Sequence, residues 1–353
     1  MDKGRDAVRL GLVGLGGFSP VIGEAVMRSE KAKLVACFDV VPEKAQAASQ
    51  KYACDREESY EKLVRRPDLD GVVLVTPNAV HCEQAVLASQ HGKHVFVEKP
   101  LANTLADGQT MINACDKAGV VLMVGHYRRR NAGNRKIKQL IEQGAIGKPI
   151  LAEGNVSNFL GTELTPDKFR WRGDDTGCPA GALMTMGIHI VDVFNYFFGP
   201  IESTSAYFNK LHIAADVEDV TISICKFKSG MLGYIGTNYV SPKASWMYLY
   251  GTEGNLHWTA TYPDLPSEAY FKAVADTDKY TRLTYFEKGK GAKEIPLIPG
   301  DPYKEEIDEF CDCIRTGAVP ETDGRSALTA LAYIRAAIES AHSGHYVNLA
   351  IQG

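Results

Sequence analysis

The hydrophobic pattern changes character about a third of the way along the chain. In the first part, short continuous apolar runs alternate with stretches of helical period. Residues 8–13, 34–38, 70–75, 95–99 and 120–124 read as strands buried on both faces. Helical segments fall between them, one opened by Pro20 and others over 43–52, 80–90 and 104–118. Repeated strand–helix units predict a parallel sheet with helices on both faces. Beyond residue 150 the period becomes two. Strand-like segments cover 150–158, 203–213, 220–227, 231–239 and 246–250. Val220, Ile222 and Ile224 alternate with Thr221, Ser223 and Cys225, as in a sheet with one buried face. These strands arrive without intervening helices, which predicts antiparallel pairing. Ile137, Leu140 and Ile141 mark a helix ended by Gly144, and 182–198 reads as one helix ended by Gly199-Pro200. Tyr303, Ile307, Phe310, Cys311 and Ile314 form a helical stripe, and Leu328, Leu331, Ile334 and Ile338 form another. Both stripes read as core.

Composition narrows the classes. The 353 residues are 45% hydrophobic and 23% charged, a globular balance too long for one small core, so two domains are expected. A net charge of −4 gives no basic excess for nucleic acid. No apolar stretch approaches the ~20 residues of a membrane span. The polar residues 1–6 run straight into a strand, unlike a signal peptide. Eight scattered cysteines without a CxxC pair read as small core residues, reduced in a cytoplasmic protein. Nine histidines without an HxxxH or HxH pair give a metal site no local support.

The first strand runs into Gly14-Leu15-Gly16-Gly17-Phe18-Ser19. Gly14 permits a tight turn, and Gly16 lets backbone amides approach a pyrophosphate at a helix N-terminus. Asp39 ends the second strand, about 20 residues on, where a carboxylate meets the adenosine ribose hydroxyls. Its competing role is a solvated strand-end carboxylate or a helix cap. Val40 and Val41 bring no cation for a 2′-phosphate, which favours NAD over NADP. Thr76-Pro77-Asn78 follows another strand and lines the same cleft, while His81 reads as a structural cap at the next helix. Val97-Glu98-Lys99-Pro100 closes the series. A lysine at a strand's carboxyl end, its stem packed on apolar neighbours, is open to a pKa lowered by desolvation.

In these motifs the chain resembles the glucose–fructose oxidoreductase / inositol dehydrogenase / MocA family of NAD(P)-dependent oxidoreductases over nearly its whole length. The resemblance rests on Gly14-x-Gly16, Thr76-Pro77-Asn78 with His81, Glu98-Lys99-Pro100, Gly125-His126-Tyr127-Arg128-Arg129 and Gly144-Ala145-Ile146-Gly147-Lys148. It extends through Trp171-Arg172 and Gly181-Ala182-Leu183 to Gly187, His189 and Asp192. It implies an α/β fold: a doubly wound parallel Rossmann domain over 1–125, then an α/β domain over 126–353 with a large, mostly antiparallel sheet. That sheet often makes the oligomer interface, so a homodimer or homotetramer is implied. The resemblance sets Gly14, Gly16, Gly17, Phe18, Asp39, Thr76, Pro77, Asn78, His81, Glu98, Lys99 and Arg128 against the cofactor. It sets Lys99, Tyr127, Trp171, Arg172, Thr185 and His189 against a small-molecule substrate.

Thr185, His189 and Asp192 share one helix face. His189 aligns with the family's catalytic histidine; its competing role is a packing residue. Thr185 stands where many members have Asp, and a threonine carries no charge and is no base near neutral pH. Catalysis would then rest on Lys99 and His189, with Asp192 orienting His189 or capping a neighbour. Arg128, Arg129, Arg130, Arg170 and Arg172 read as a solvated run with structural pairing to acids such as Asp174 or Asp175. One or two facing a pocket would suit a carboxylate or phosphate. The function this implies is hydride transfer between NAD and a secondary alcohol or ketone of a sugar, polyol or related, even anionic, compound. Two rivals stand beside it: a redox-neutral hydrolase or eliminase using tightly held NAD, and a non-catalytic NAD-binding protein.

Overall fold

The protein is described from a computed structural model, which covers residues 7–163, 171–262 and 277–350. It forms two compact units, each built from two stretches of sequence. One joins the chain up to Tyr127 with Asp301–Leu328; the other joins Arg128–Gly300 with the chain from Thr329 onward.

The first unit carries a six-stranded parallel sheet. Its strands are β1 (Val8–Val13), β2 (Ala32–Phe38), β3 (Asp55–Arg56), β4 (Gly71–Leu74), β5 (His94–Glu98) and β6 (Leu122–Gly125), in the order β3-β2-β1-β4-β5-β6. That is the doubly wound dinucleotide-binding order. The helices between them are α1 (Ser19–Arg28), α2 (Pro42–Tyr52), α3 (Tyr60–Val64), α4 (His81–Gln90) and α5 (Leu105–Ala118). Helices on both faces explain the unbroken apolar runs: Leu10, Leu12, Val72, Val73, Val95, Phe96 and Val97 are all buried. Register pairs Val13 with both Phe38 and Leu74, and Leu74 with Val97. The strands therefore finish level, and the turns after β1, β2, β4 and β5 share one edge of the sheet.

The first C-terminal stripe belongs to this unit, a return that one cut at residue 125 does not include. It forms α8 (Pro302–Thr316), whose start Asp301 caps by accepting from the Lys304 amide at 3.1 Å. Phe310 meets Phe96 edge-on with ring centres 5.9 Å apart, and Tyr303 meets Phe18 the same way.

The second unit carries α6 (Ala132–Glu142), α7 (Ile188–Phe198) and the chain of α9 (Gly324–Ser343) from Thr329 on. Its nine-stranded sheet, among the described residues, runs β14-β13-β12-β11-β7-β10-β9-β8-β15. The strands are β7 (Pro149–Ser157), β8 (Ile201–Asn209), β9 (Val220–Phe227), β10 (Leu232–Asn238), β11 (Ala244–Gly251), β12 (Gly254–Ala260), β13 (Thr281–Glu287), β14 (Gly291–Ile295) and β15 (Val347–Asn348). Among the described strands, β7 and β10 pair parallel and the other pairs run antiparallel. The mostly antiparallel sheet that the resemblance implies is thus present, and its parallel pair arises because the long passage through α7, β8 and β9 lets the chain re-enter beside β7 in the same direction.

The alternation along β9 does mark one buried face, and the structure shows which. Thr221, Ser223 and Cys225 point inward, whereas Ile222 is 45% and Ile224 60% exposed. The inward hydroxyls are satisfied: Thr221 bonds Thr237 at 2.6 Å, and Tyr333 of α9 donates to Ser223 at 2.7 Å. The outward row through register-paired Ile224, Tyr234, Glu153, Tyr248 and His257 is rich in aromatics, with Tyr248 stacked on His257 at 4.2 Å. Strands β12 to β15 escaped the sequence reading. In β14 four of five residues are exposed, so no apolar alternation marks it. No helix among the described residues is long and apolar enough to cross a membrane.

Candidate active site

In the first unit the site residues sit on the carboxyl edge of the parallel sheet. Gly14 has φ +83°, and a Cβ there would lie 2.7 Å from the Thr76 methyl and 2.8 Å from the Val75 carbonyl carbon. The turn therefore crosses the end of β4 at a distance that admits only glycine. Around Gly16 and Gly17 an added Cβ would meet no described atom within 4 Å, so this side of the turn is open. Ser19 closes the turn by donating its hydroxyl to the Gly16 carbonyl at 2.8 Å. Asp39 ties the end of β2 to the turn: it accepts from the Leu15 amide at 2.6 Å and from Val41 at 2.8 Å. A carboxylate has about four acceptor positions, so capacity for ribose hydroxyls remains.

Asn78 is buried in a short 3-10 turn after β4, and its Nδ2 has no hydrogen-bond partner among the described residues. Glu98, buried at the end of β5, accepts from the Lys99 amide at 3.3 Å through Oε2, while Oε1 has no described partner. Burial pushes its carboxyl up to about 7, against the opposing charge of Lys99. Gly125 makes the space, since a Cβ there would come within 2.8 Å of Glu98 Oε1. Lys99 itself is partly buried and precedes Pro100 through a cis peptide bond. An open glycine turn, a carboxylate after β2 and two buried polar atoms awaiting a partner fit NAD. Val40 is 84% exposed and brings no cation beside Asp39.

Two residues placed against ligands by the resemblance are engaged inside the protein. His81 lies fully buried between the turns after β4 and β5, with Nδ1 3.0 Å from the Pro100 carbonyl and Nε2 3.0 Å from that of Thr76. Burial pulls its ring below the ordinary histidine range, so the ring is neutral and donates through one nitrogen at a time. The residue straps the two turns together rather than capping the helix it begins. Tyr127 is 3% exposed and stacks on Tyr303 with centroids 4.4 Å apart.

The second unit holds the remaining candidates. The segment at 182–198 is not one uniform helix: Leu183–Gly187 takes π-type turns before α7 begins. Ala180 at φ +61° and Gly181 at φ +35° bring the chain in, and Gly187 packs so closely that a Cβ would meet the Thr237 methyl at 2.9 Å. Wider π turns are frequent where a helix presents functional side chains. Thr185 lies in this turn and His189, 6% exposed, in the first turn of α7. Thr185 donates to the Gly181 carbonyl at 2.9 Å and shares a hydrogen bond with the Tyr239 hydroxyl.

The arginines depart from the solvated run expected of them. Arg129 and Arg130 are buried, and Arg129 grips both carboxylate oxygens of Asp192, Nε to Oδ2 at 2.9 Å and to Oδ1 at 3.1 Å, and Nη2 to Oδ1 at 2.5 Å. Asp192 is therefore engaged by Arg129, one helical turn beyond His189. Trp171 and Arg172 stack on each other, with the guanidinium carbon 4.2 Å from the ring centre. Burial pulls the Arg172 guanidinium down, with Tyr239 and Cys178 acting in the opposite sense. Arg128 gives its carbonyl to Asn134 at 2.7 Å. Arg170 lies outside the described residues. Gly125 stands in the sequence motif without its role as the space for Glu98, and the Arg129–Asp192 pairing and Tyr239 were not foreseen from sequence. A glycine's neighbour and an ion pair spanning 63 residues leave no local signal.

Comparison with known proteins agrees with this architecture. The family model described as an oxidoreductase family with an NAD-binding Rossmann fold matches residues 8–126, and the GFO/IDH/MocA C-terminal domain matches 134–257. Myo-inositol 2-dehydrogenase of Thermotoga maritima is 26% identical over 97% of this chain and 98% of its own. The solved structure of an NADPH-dependent oxidoreductase from Desulfitobacterium hafniense superposes with a TM-score of 0.91 at 28% identity, covering 98% of this chain and 99% of that one. The WlbA dehydrogenase of Bordetella pertussis, solved with NADH and UDP-GlcNAcA, gives 0.82 at 28% identity over 99% of both chains. The chain belongs to the GFO/IDH/MocA family of oxidoreductases with an NAD-binding Rossmann fold.

Proposed function

We propose that this oxidoreductase interconverts a secondary alcohol and its ketone on a sugar, polyol or related hydroxylated small molecule, using NAD in preference to NADP. The observation that carries this reading is the shared edge of the parallel sheet, where the Gly14 turn, Asp39, Asn78 and Glu98-Lys99 meet. When bound, NAD supplies the redox chemistry by accepting or returning a hydride. Backbone amides of the Gly14–Phe18 turn hold the pyrophosphate, and Asp39 accepts from the adenosine ribose. Thr76, Pro77 and Asn78 line the cofactor cleft, positioned by His81, and Arg128 lies against the cofactor. Lys99 hydrogen-bonds the reacting oxygen and stabilises its developing negative charge. His189 exchanges the hydroxyl proton with water. Thr185, Tyr127, Trp171 and Arg172 belong to the substrate side.

We also propose a cytoplasmic homo-oligomer, associated through the outward face of the large sheet. Ile222, Ile224 and Tyr207 lie exposed on that face. A panel of myo-inositol, D-xylose, D-glucose, D-glucuronate and glycerol, each mixed with NAD or NADP, tests the function through cofactor absorbance. One or more compounds should reduce NAD with a higher kcat/KM than NADP. Consumption of a panel compound to a product with no net NADH would instead favour the redox-neutral rival. Complete inertness toward the panel would sink the reading.

A further inference from the structure

Two thiols stand together beside α2, close in sequence to Asp39. Cys37 lies in β2 and is fully buried; Cys54 follows α2 and is 8% exposed. Parallel pairing sets Ala36 against Asp55 and Cys37 against Arg56, so Cys54, two residues before Arg56, is on the same side of the sheet as Cys37. Ala53 at φ +51° turns the chain out of α2. The Cys54 amide then donates to the Ser49 carbonyl at 3.2 Å, and the Ser49 hydroxyl donates to the Cys54 carbonyl at 2.6 Å. The Cys37 thiol has one proton and two acceptors within reach, the Ala45 carbonyl at 3.5 Å and the Cys54 sulfur.

The two thiols are chemically unlike. Donation from Cys37 holds the Cys54 thiol below its ordinary range, with Arg66 acting in the same sense against burial and Asp55. Donation to Cys54, then burial, pushes the Cys37 thiol up. Elsewhere in this unit burial pushes Cys115 and Cys311 up to about 12. Thiolate character and access together select the sulfur that an oxidant meets, and within the pair both favour Cys54. The strands differ as well. β2 is held on both flanks, with Leu12 of β1 opposite Cys37, and Asp39 beyond it is tied to the Leu15 amide. β3 is a two-residue edge strand, both residues exposed. When the sulfurs close to the about 2 Å of a disulfide, Cys54 and the edge strand it leads into are the side that yields.

We propose that Cys54 and Cys37 are a peroxide-responsive dithiol whose disulfide staples the edge strand β3 to β2 and leaves Asp39 in place. The Cys54 thiolate attacks one oxygen of hydrogen peroxide. The O–O bond breaks, Cys54 becomes a sulfenic acid, and the departing hydroxide takes up the proton Cys54 had released, as water. The Cys37 sulfur then attacks the sulfenic sulfur; its thiol proton goes to the leaving hydroxyl, and a second water departs as the S–S bond forms. Two thiols lose two electrons and two protons, and one peroxide becomes two waters. The closed loop holds residues 38–53, which include Asp39 and α2, and the bond restricts that stretch in the unfolded chain.

The full chain, reduced beforehand, is treated with hydrogen peroxide as wild type, C54S and C37S, then alkylated and digested. Mass spectrometry of wild type should find the peptides of Cys37 and Cys54 joined, two hydrogens lighter than their sum, and a dithiol reductant should part them. Oxidised wild type should melt several degrees above the reduced form and bind NAD as tightly, followed by calorimetry. C37S should hold Cys54 as a sulfenic acid that dimedone captures, and C54S should leave Cys37 unlabelled at the same dose. Wild type decides the pairing by itself, so a variant that fails to fold does not shelter the proposal. Absence of the joined peptide overturns it, whether peroxide leaves the pair untouched, oxidises other thiols first or carries Cys54 to a sulfinic acid. Dimedone labelling of Cys37 in C54S overturns the order of attack. A lower melting temperature or weaker NAD binding after oxidation overturns the staple.

Discussion

The two sheets solve opposite problems. In the parallel sheet both faces are covered, the strand centres are apolar, and polar chemistry appears where the strands stop, at Asp39, Thr76 and Glu98-Lys99. In the large mixed sheet the inward face carries satisfied hydroxyls such as Thr221 and Ser223, and Ile222 and Ile224 face outward. Its unit builds chemistry from long-range pairs, Arg129 with Asp192 and Thr185 with Tyr239. The difference teaches that strand-end chemistry is local to the sequence, whereas chemistry on a helix braced by a distant loop is not.

The sharpest way to break this contrast is at the buried pair. D192A leaves the Arg129 charge buried without its carboxylate partner, and should destabilise the protein by about 3–5 kcal/mol in urea unfolding. R129M/D192L, which removes both charges, should recover most of that loss; if both variants unfold at the wild-type midpoint, the pair is no structural anchor. At the other sheet, K99A should lower kcat roughly 10²–10³-fold while NAD binding, followed by calorimetry, persists. Near-normal turnover would remove Lys99 from the reacting oxygen.

Glu98 adds a pH dependence with a definite sign. Its folded carboxyl is pushed up to about 7 from 4.5, so the native state holds the proton more tightly than the unfolded chain. The stability this contributes is complete below about pH 4.5 and declines as pH rises toward 7, by up to about 3 kcal/mol. E98Q should flatten that slope in denaturant titrations, and an unaltered slope would place its origin elsewhere. G125A forces a methyl against the same carboxyl and should cost about 1–3 kcal/mol, read as a lower Tm. The smallest effect on the protomer belongs to the outward face. I224E should change protomer stability by no more than about 0.5 kcal/mol, yet dissociate the oligomer in sedimentation velocity. An intact assembly would point to a different interface.

The sequence by itself determined the parallel sheet and the residues that stand at its strand ends. Apolar runs buried on both faces, a glycine turn and residues at strand ends are fixed by neighbours a few positions away, so Gly14, Asp39, Asn78 and Lys99 were legible from order and spacing. It also determined the family, through motifs spread along nearly the whole chain. Tertiary structure decided the rest. Alternation of Ile and Thr along β9 announced two unlike faces without saying which would be covered, because α9, which covers one, comes more than a hundred residues later. A stripe of Tyr303, Ile307 and Phe310 announced a buried helix without saying that it returns to the first unit. Asp192 announced a charge on the face of His189, and only the fold brought Arg129 to neutralise it. A buried charge or hydroxyl takes its meaning from its partner, and that partner is chosen by packing in space rather than by position in the chain.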